Sequence, residues 1–214
     1  MFKMKEPVNT ITHLIGALLS VAGLVFMVFQ AIWKANGYYL AGAIVFGVSL
    51  ILLYSASATY HWVRAKDSVV RLLRRVDHTM IFVLIAGTYT PVCLTVLKGW
   101  MGWTLLAVVW SLAIGGSLMR ILWLDAPRWL YTSIYVGMGW VAVFFLIPLY
   151  KLMSPGAFSL MVTGGILYTI GAVIYGLKPK FLQMRYLGFH EIFHLFILGG
   201  SVSHFAMVSG YLLR

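Results

Sequence analysis

Seven long stretches without a charged residue dominate this sequence of 214 residues. They are 20 to 29 residues long and cover 7–33, 35–63, 78–97, 99–119, 129–150, 152–177 and 192–213. An α-helix needs about 20 mostly apolar residues to cross the hydrocarbon core of a bilayer, which is about 30 Å thick. The pattern therefore predicts an all-α membrane protein, a bundle of seven transmembrane helices.

The composition agrees with one integral membrane domain over residues 1–214. Charged residues make up 10% of the chain, whereas a soluble domain has about 25%. This excludes an ordinary soluble enzyme and a nucleic-acid-binding domain, which needs a solvated basic face. The single Cys93 excludes a disulfide framework and a cysteine-rich zinc module. We expect the spans at about 10–32, 38–61, 77–97, 99–120, 129–150, 156–177 and 190–212.

The distribution of lysine and arginine predicts the orientation of the bundle. The N-terminus and the loops after the even-numbered spans carry twelve of the 16 Lys and Arg residues, and the opposite side carries four. Because short cytoplasmic loops are enriched in these residues, we predict a cytoplasmic N-terminus, an outside C-terminus and a multi-pass location in the cell (cytoplasmic or inner) membrane. The net charge of +11 also favours contact with anionic membrane lipids.

Four ionisable residues fall at the same predicted depth, near the cytoplasmic face. His61 closes the second span, Asp77 opens the third, and His190 and His194 open the seventh. Ionisable residues are costly in a membrane, so each is a candidate functional residue. The i, i+4 spacing places His190 and His194 about 40° apart on one helical face, and Ser57 has the same spacing from His61.

Three neutral imidazoles with one open position are typical of a catalytic zinc site, in which the pKa of a bound water falls to about 7. Asp77 would hold or deprotonate that water, and Ser57 would hydrogen-bond the water or a substrate carbonyl. Simpler interpretations stay open. A lone H-x-x-x-H pair is a weak signal, His61 could be an interfacial residue, and Asp77 could pair with Arg74 or Arg75. Composition does not show that the three spans are neighbours.

Taken together, Ser57-x-x-x-His61, Asp77 and His190-x-x-x-His194 resemble the three-part signature of the progestin/adiponectin-receptor-like membrane proteins and their alkaline ceramidase relatives. Within that group the chain resembles the bacterial hemolysin III family. Supporting segments occur before the first span, in the third and in the seventh: Glu6-x-x-Asn9-x-x-x-His13, residues 86–91 (AGTYTP) and residues 199–205 (GGSVSHF).

The resemblance implies a zinc ion near the cytoplasmic surface of a seven-helix bundle. By motif position the ligands would be His61, His190 and His194, with Asp77 and Ser57 around the zinc-bound water. Related members are regarded as lipid amide hydrolases, notably of ceramides. Bacterial members have been linked to membrane lipid homeostasis, and the family name records haemolysis.

The remaining histidines have weaker claims to the site. His204 lies fourteen residues beyond His190, or about 21 Å along an ideal helix, so we interpret it as a hydrogen-bonded core residue. His13, near the start of the first span, is a candidate supporting residue. His78 points about 100° away from its neighbour Asp77.

Glu191 also turns about 100° away from its neighbouring histidine. An interaction with Arg185 or with the N-terminus of the last helix explains this acid without a catalytic role. We therefore leave it out of the predicted zinc site.

Three functions fit these observations. The first is a zinc-dependent hydrolase that cleaves an amide or ester bond of a small lipid substrate. The second is a receptor-like regulator of membrane composition with a lipid ligand and a structural zinc ion. The third is a haemolytic, pore-forming protein, although pore toxins usually pass through a soluble form and this chain has no polar surface for one. A retinal protein is excluded because the seventh span lacks a lysine.

Overall fold

The computed structural model describes residues 4–184 and 187–214 and contains seven helices that are long and apolar enough to cross a membrane. The described residues include no β-strand. The predicted all-α, seven-helix fold is therefore confirmed, and its orientation in the membrane stays a prediction. The helices are α1 (Pro7–Ile32), α2 (Gly37–Trp62), α3 (Asp67–Leu97), α4 (Gly99–Leu122), α5 (Arg128–Leu152), α6 (Pro155–Leu177) and α7 (Phe189–Leu212).

Helix α3 begins well before the predicted third span. Its first residue is Asp67 rather than a residue near position 77, and it follows Lys66 directly. A carboxylate in the first turn favours a helix start because it interacts with the positive end of the helix dipole. The basic residues of segment 69–76 consequently belong to the first turns of α3.

The order of packing places α1 next to both α2 and α7. Successive helices pack together from α1 to α4, α6 packs on α7, and α1 also contacts α7. Helix α3 is the most buried of the seven. A Cβ atom at Gly42 would lie 2.9 Å from the Cα atom of Pro91. This glycine therefore allows α2 and α3 to approach closely, as small residues do in membrane bundles.

Helix α5 is interrupted near its middle. Regular helix ends at Gly139, a 3₁₀ turn covers Val141–Phe145, and regular helix resumes at Leu146. The Tyr89 hydroxyl, on α3, donates a hydrogen bond to the Gly139 carbonyl oxygen at 2.5 Å and accepts one from the Ala142 amide at 3.0 Å. Unpaired backbone groups are costly at membrane depth, so Tyr89 stabilises the interruption.

The bundle brings three helix ends together at one side. The last turn of α2 lies beside the start of α7, and the segment before α1 runs along the same end of α2. The Glu6 amide donates to the His61 carbonyl oxygen at 3.0 Å, and the Lys5 amide donates to that of Trp62 at 3.3 Å. This end of the bundle holds the candidate site.

Candidate metal centre

Three buried or half-buried histidines converge where α2 ends and α7 begins. His61 lies in the last turn of α2, and His190 and His194 lie one turn apart at the start of α7. Each offers a ring nitrogen, and these nitrogens all lie within 4.8 Å of one another. The three residues are therefore close enough to hold a metal ion, and α2 and α7 are neighbours at this point.

The distance between two of these nitrogens fits a shared ion. The Nε2 atoms of His61 and His190 lie 3.3 Å apart. Two nitrogens at 2.0–2.1 Å from one tetrahedral zinc ion are separated by about 3.4 Å. The His194 Nδ1 atom is buried without a hydrogen-bond partner in the described part of the chain, so none of these residues competes with an ion for it. Imidazole ligands suit zinc, copper, iron and nickel, so the donor set fits a transition metal.

Asp77 lies beside this cluster but outside the group of mutually close ligand atoms. It lines one cavity together with Ser57, His190 and His194. Its side chain is 13% exposed, and its Oδ2 atom lies 3.3 Å from the Nδ1 atom of His78. The expectation that His78 points away from Asp77 is therefore wrong.

Neither of the two arginines that could have paired with Asp77 forms an ion pair with it among the described residues. Arg74 forms a long contact of 4.0 Å with the exposed Asp125. Among the described residues, the ion-pair contact of Asp77 is with a histidine, not with Arg74 or Arg75. Asp77 consequently keeps a carboxylate on the wall of the cavity that His190 and His194 also line.

The cavity has a volume of about 200 Å³ and extends from the histidines towards α5 and α6. Its lining is mainly apolar. Trp140, Val143 and Leu146 of α5 and Val162 of α6 line it and are also exposed on the outer surface, with exposed fractions of 36–46%. These four residues therefore separate the cavity from the surroundings of the bundle on the side of α5 and α6.

Comparison with known proteins decides the family. The family model described as "Haemolysin-III related" matches residues 2–205. The chain belongs to the haemolysin III family. It is 41% identical to the Hemolysin-3 homolog of Bacillus subtilis (strain 168), over 100% of this chain and 98% of the relative. It is 40% identical to Hemolysin-3 of Bacillus cereus, over 99% and 94% of the two chains.

A more distant relative is eukaryotic. The chain is 24% identical to the human Monocyte to macrophage differentiation factor, over 79% of this chain and 70% of the relative. The family model and the two Bacillus relatives confirm the predicted resemblance to the hemolysin III family. The names of these relatives do not assign a ligand or a reaction to the histidines.

In this haemolysin III chain, Glu6 contacts the site although the sequence did not single it out as a site residue. One of its carboxylate oxygens, Oε2, lies 2.6 Å from the Nδ1 atom of His61. The hydrogen bond from His61, helped by Asn9 and by the charge of Lys5, outweighs partial burial and lowers the pKa of Glu6 to about 2. Glu6 is therefore ionised at neutral pH. The segment Glu6-x-x-Asn9-x-x-x-His13 was visible in the sequence, but nothing local shows its partner.

His13 supports the cluster from α1. Its ring stacks on that of His194, with centroids 3.7 Å apart and planes inclined by 14°. Its edge contact with Tyr54 has a centroid distance of 5.0 Å. Neither ring nitrogen of His13 has a hydrogen-bond partner among the described residues. The expected supporting position of His13 is thus found as a packing contact.

His204 lies further along the cavity and not in the histidine cluster. It is 6% exposed and packs near Tyr168, with ring centroids 5.4 Å apart. A Cβ atom at Gly164 would lie 2.5 Å from its Nε2 atom. His204 is buried as expected, but its Nδ1 atom has no hydrogen-bond partner within the described residues.

Arg185, the other proposed partner of Glu191, lies outside the described residues.

Proposed function

We propose that this protein is a zinc-dependent hydrolase that cleaves an amide or ester bond of a membrane lipid. The observation that carries the proposal is the cluster of three histidine nitrogens, because two of these histidines, His190 and His194, also line an apolar cavity that extends to residues of α5 and α6. A soluble substrate would not need a cavity of this kind. A lipid can enter from the side, keep its chains in apolar surroundings and bring its polar linkage to the histidines.

Zinc is the metal we propose, with His61, His190 and His194 as its ligands. Three imidazoles leave one coordination position open, which is the arrangement of catalytic zinc sites. When bound, zinc would polarise a carbonyl group and activate water for attack at neutral pH. Among the described residues, the close group contains three ligands and no fourth, which supports this assignment over a closed, purely structural site.

The protein's own groups would carry the protons and orient the substrate. Asp77 exposes its carboxylate to the cavity, where it would take a proton from water and return it to the leaving group. The Ser57 hydroxyl lines the same cavity and would donate a hydrogen bond to the substrate carbonyl oxygen. The apolar lining would limit access of bulk water to this reaction.

The proposed location is the cytoplasmic side of the cell membrane. The lysine and arginine count places the end of the bundle with the histidines on that side. The lipid substrate would therefore come from the membrane interior or its cytoplasmic leaflet. Membrane lipids are the proposed partners.

The test uses the purified full chain in nanodiscs, loaded with zinc, with ceramide and phosphatidylethanolamine as separate probes. Mass spectrometry measures release of fatty acid. We expect the wild type to release it, and we expect a loss of about 10²–10⁴-fold in Asp77→Asn with zinc retained. Lys98→Gln, exposed at the other end of α3, is the control and should match the wild type. The proposal would be contradicted by two results together: zinc-loaded wild type leaves both lipids intact, and the lipids of whole cells that contain it are unchanged.

The names of the two Bacillus relatives favour a second candidate, direct membrane lysis. Liposomes filled with a quenched dye separate it from hydrolysis. Leakage that persists in His61→Ala and His190→Ala favours a pore, whereas leakage that requires the histidines follows from lipid cleavage. A regulator with a structural zinc ion predicts a third result. Removal of zinc would lower the melting temperature of the protein, whereas the Asp77→Asn variant would change membrane composition as the wild type does.

A further inference from the structure

Three polar residues outside the proposed ligand set form a continuous hydrogen-bonded chain beside it. The amide nitrogen of Asn9, Nδ2, donates to Glu6 Oε2 at 3.1 Å and to Glu191 Oε1 at 2.9 Å. Asn9 is 1% exposed. We call Glu6, Asn9 and Glu191 the carboxylate brace. Its Asn9–Glu191 contact links α1 to α7 across 182 positions of sequence.

One end of the brace holds α2. Glu6 binds His61 twice, because its amide donates to the His61 carbonyl oxygen at 3.0 Å and its carboxylate lies 2.6 Å from Nδ1. An ionised carboxylate only accepts hydrogen bonds, so the proton of His61 must be on Nδ1. In a neutral imidazole with its proton there, the lone pair that can bind a metal lies on Nε2, which is the atom 3.3 Å from His190 Nε2. Glu6 thus fixes both the tautomer and the ring orientation.

The other end of the brace holds the start of α7. Glu191 is the third residue of this helix, and its Oε2 atom accepts a hydrogen bond from the Gly188 amide at 2.8 Å. Such a contact satisfies a backbone donor that the helix itself leaves unpaired. The turn that Glu191 caps carries His190 and leads into His194. The interpretation of Glu191 as a residue that interacts with the helix N-terminus is confirmed.

The charges of Glu6 and Glu191 explain why the residue between them, Asn9, is a neutral amide. Glu6 and Glu191 are both carboxylates, and each accepts from the same Asn9 nitrogen, which has two hydrogens to donate. The opposite amide orientation would aim the Asn9 oxygen at two anions. An aspartate at position 9 would place three carboxylates together. A neutral double donor is therefore the side chain that lets both acids remain at the site.

We infer that the carboxylate brace is a positioning device for the metal ligands, in which Glu6 holds His61 and Glu191 holds the helix start with His190, joined by Asn9. This inference rests on the metal site of the proposed function but not on lipid hydrolysis. Removal of a carboxylate that supports a metal-bound histidine typically weakens metal binding 10–100-fold. Neither Glu6 nor Asn9 needs to touch the substrate.

The first test measures zinc affinity of the full chain in nanodiscs by competition with a chelator. We expect the Kd to rise about 10–100-fold in Glu6→Gln, which keeps the size of the side chain but loses its charge. Asn9→Asp should weaken binding at least as much. Thr12→Ala is the matched control, because among the described residues the Thr12 hydroxyl bonds to the backbone of α1 and to no side chain of the brace. The Kd of this variant should equal that of the wild type. A wild-type Kd in Glu6→Gln would overturn the inference.

A second measurement needs neither zinc nor activity. Nitrogen NMR of metal-free protein labelled with ¹⁵N-histidine reports which ring nitrogen carries the proton. We expect the Nδ1-protonated tautomer for His61 in the wild type and in Thr12→Ala, and a mixture in Glu6→Ala. An unchanged His61 tautomer in Glu6→Ala would overturn the positioning role even if the protein hydrolyses lipid. A changed tautomer supports it even if no lipid is turned over.

Discussion

The Nε2 atoms of His61 and His190 lie 3.3 Å apart, although the two residues are 129 positions apart in the sequence. Two neutral imidazoles gain little from such a contact unless one donates to the other or both face a common partner. His61 has its proton on Nδ1 because Glu6 accepts it there. In the neutral form of that tautomer, the Nε2 atom carries the lone pair, so it can accept a hydrogen bond from His190 or bind a metal ion together with it.

Single replacements of the three histidines should remove the metal. We expect the purified wild type to contain stoichiometric zinc and His61→Ala, His190→Ala and His194→Ala to contain little, because each loses one ligand. Free zinc at 100 times Kd should raise the unfolding free energy of the wild type by about 2.7 kcal/mol. Elemental analysis and thermal unfolding measure the two quantities. His204→Ala, outside the cluster, should keep its zinc, and equal zinc in all four variants would contradict the site.

Removal of one hydroxyl should destabilise the interruption of α5. Tyr89→Phe leaves the Gly139 carbonyl oxygen and the Ala142 amide without the hydroxyl that joins them. We expect a loss of about 1–3 kcal/mol in unfolding free energy. Tyr150→Phe is the control, since Tyr150 is 69% exposed. Denaturant titration in detergent measures both variants, and equal stability would show that the hydroxyl does not support the interruption.

Two adjacent glycines of α4 should respond differently to a methyl group. A Cβ at Gly116 would collide with the ring of Phe82, which is fully buried, whereas a Cβ at Gly115 meets no atom within 4 Å. Gly116→Ala should therefore cost about 1–3 kcal/mol through overpacking. Gly115→Ala should leave the melting temperature nearly unchanged or raise it slightly. A similar melting temperature for both variants would show that α3 and α4 leave room for a methyl group at Gly116.

The orientation can be tested by cysteine labelling. Cys93 is buried, and Cys93→Ser supplies a background without a native thiol. Lys34→Cys lies between α1 and α2, and Lys66→Cys lies between α2 and α3; both positions are exposed. We expect a membrane-impermeant maleimide to label Lys34→Cys in intact cells and Lys66→Cys only after permeabilisation. The reverse pattern would place the histidines on the outer side.

Local sequence patterns were sufficient for the seven helices and for one pair of ligands. Span length and the absence of charge depend only on neighbouring residues, and the i, i+4 spacing of His190 and His194 is a property of one helix. The contact of His61 with that pair depends on which helices are neighbours. Helix periodicity carries no information on that point.

Two contacts near the site could not be predicted from the sequence, for different physical reasons. The contact of Glu6 with His61 joins residues 55 positions apart and follows from how the segment before α1 crosses the end of α2. The contact between Asp77 and His78 was not predicted because the angle of 100° per residue describes only the direction of each Cβ atom. It does not give the position of the atoms at the end of the side chain. Rotation about the side-chain bonds brings the carboxylate and the imidazole of adjacent residues within 3.3 Å.

The separation of the three histidines along the chain decides when their cluster can form. His61 belongs to α2, whereas His190, His194 and Glu191, one end of the carboxylate brace, belong to α7. A chain cut after α6 keeps one of the three imidazoles. For the metal site proposed above, metal retention thus depends on the packing of α7 against α2, so zinc content would report how many molecules have completed that step of assembly.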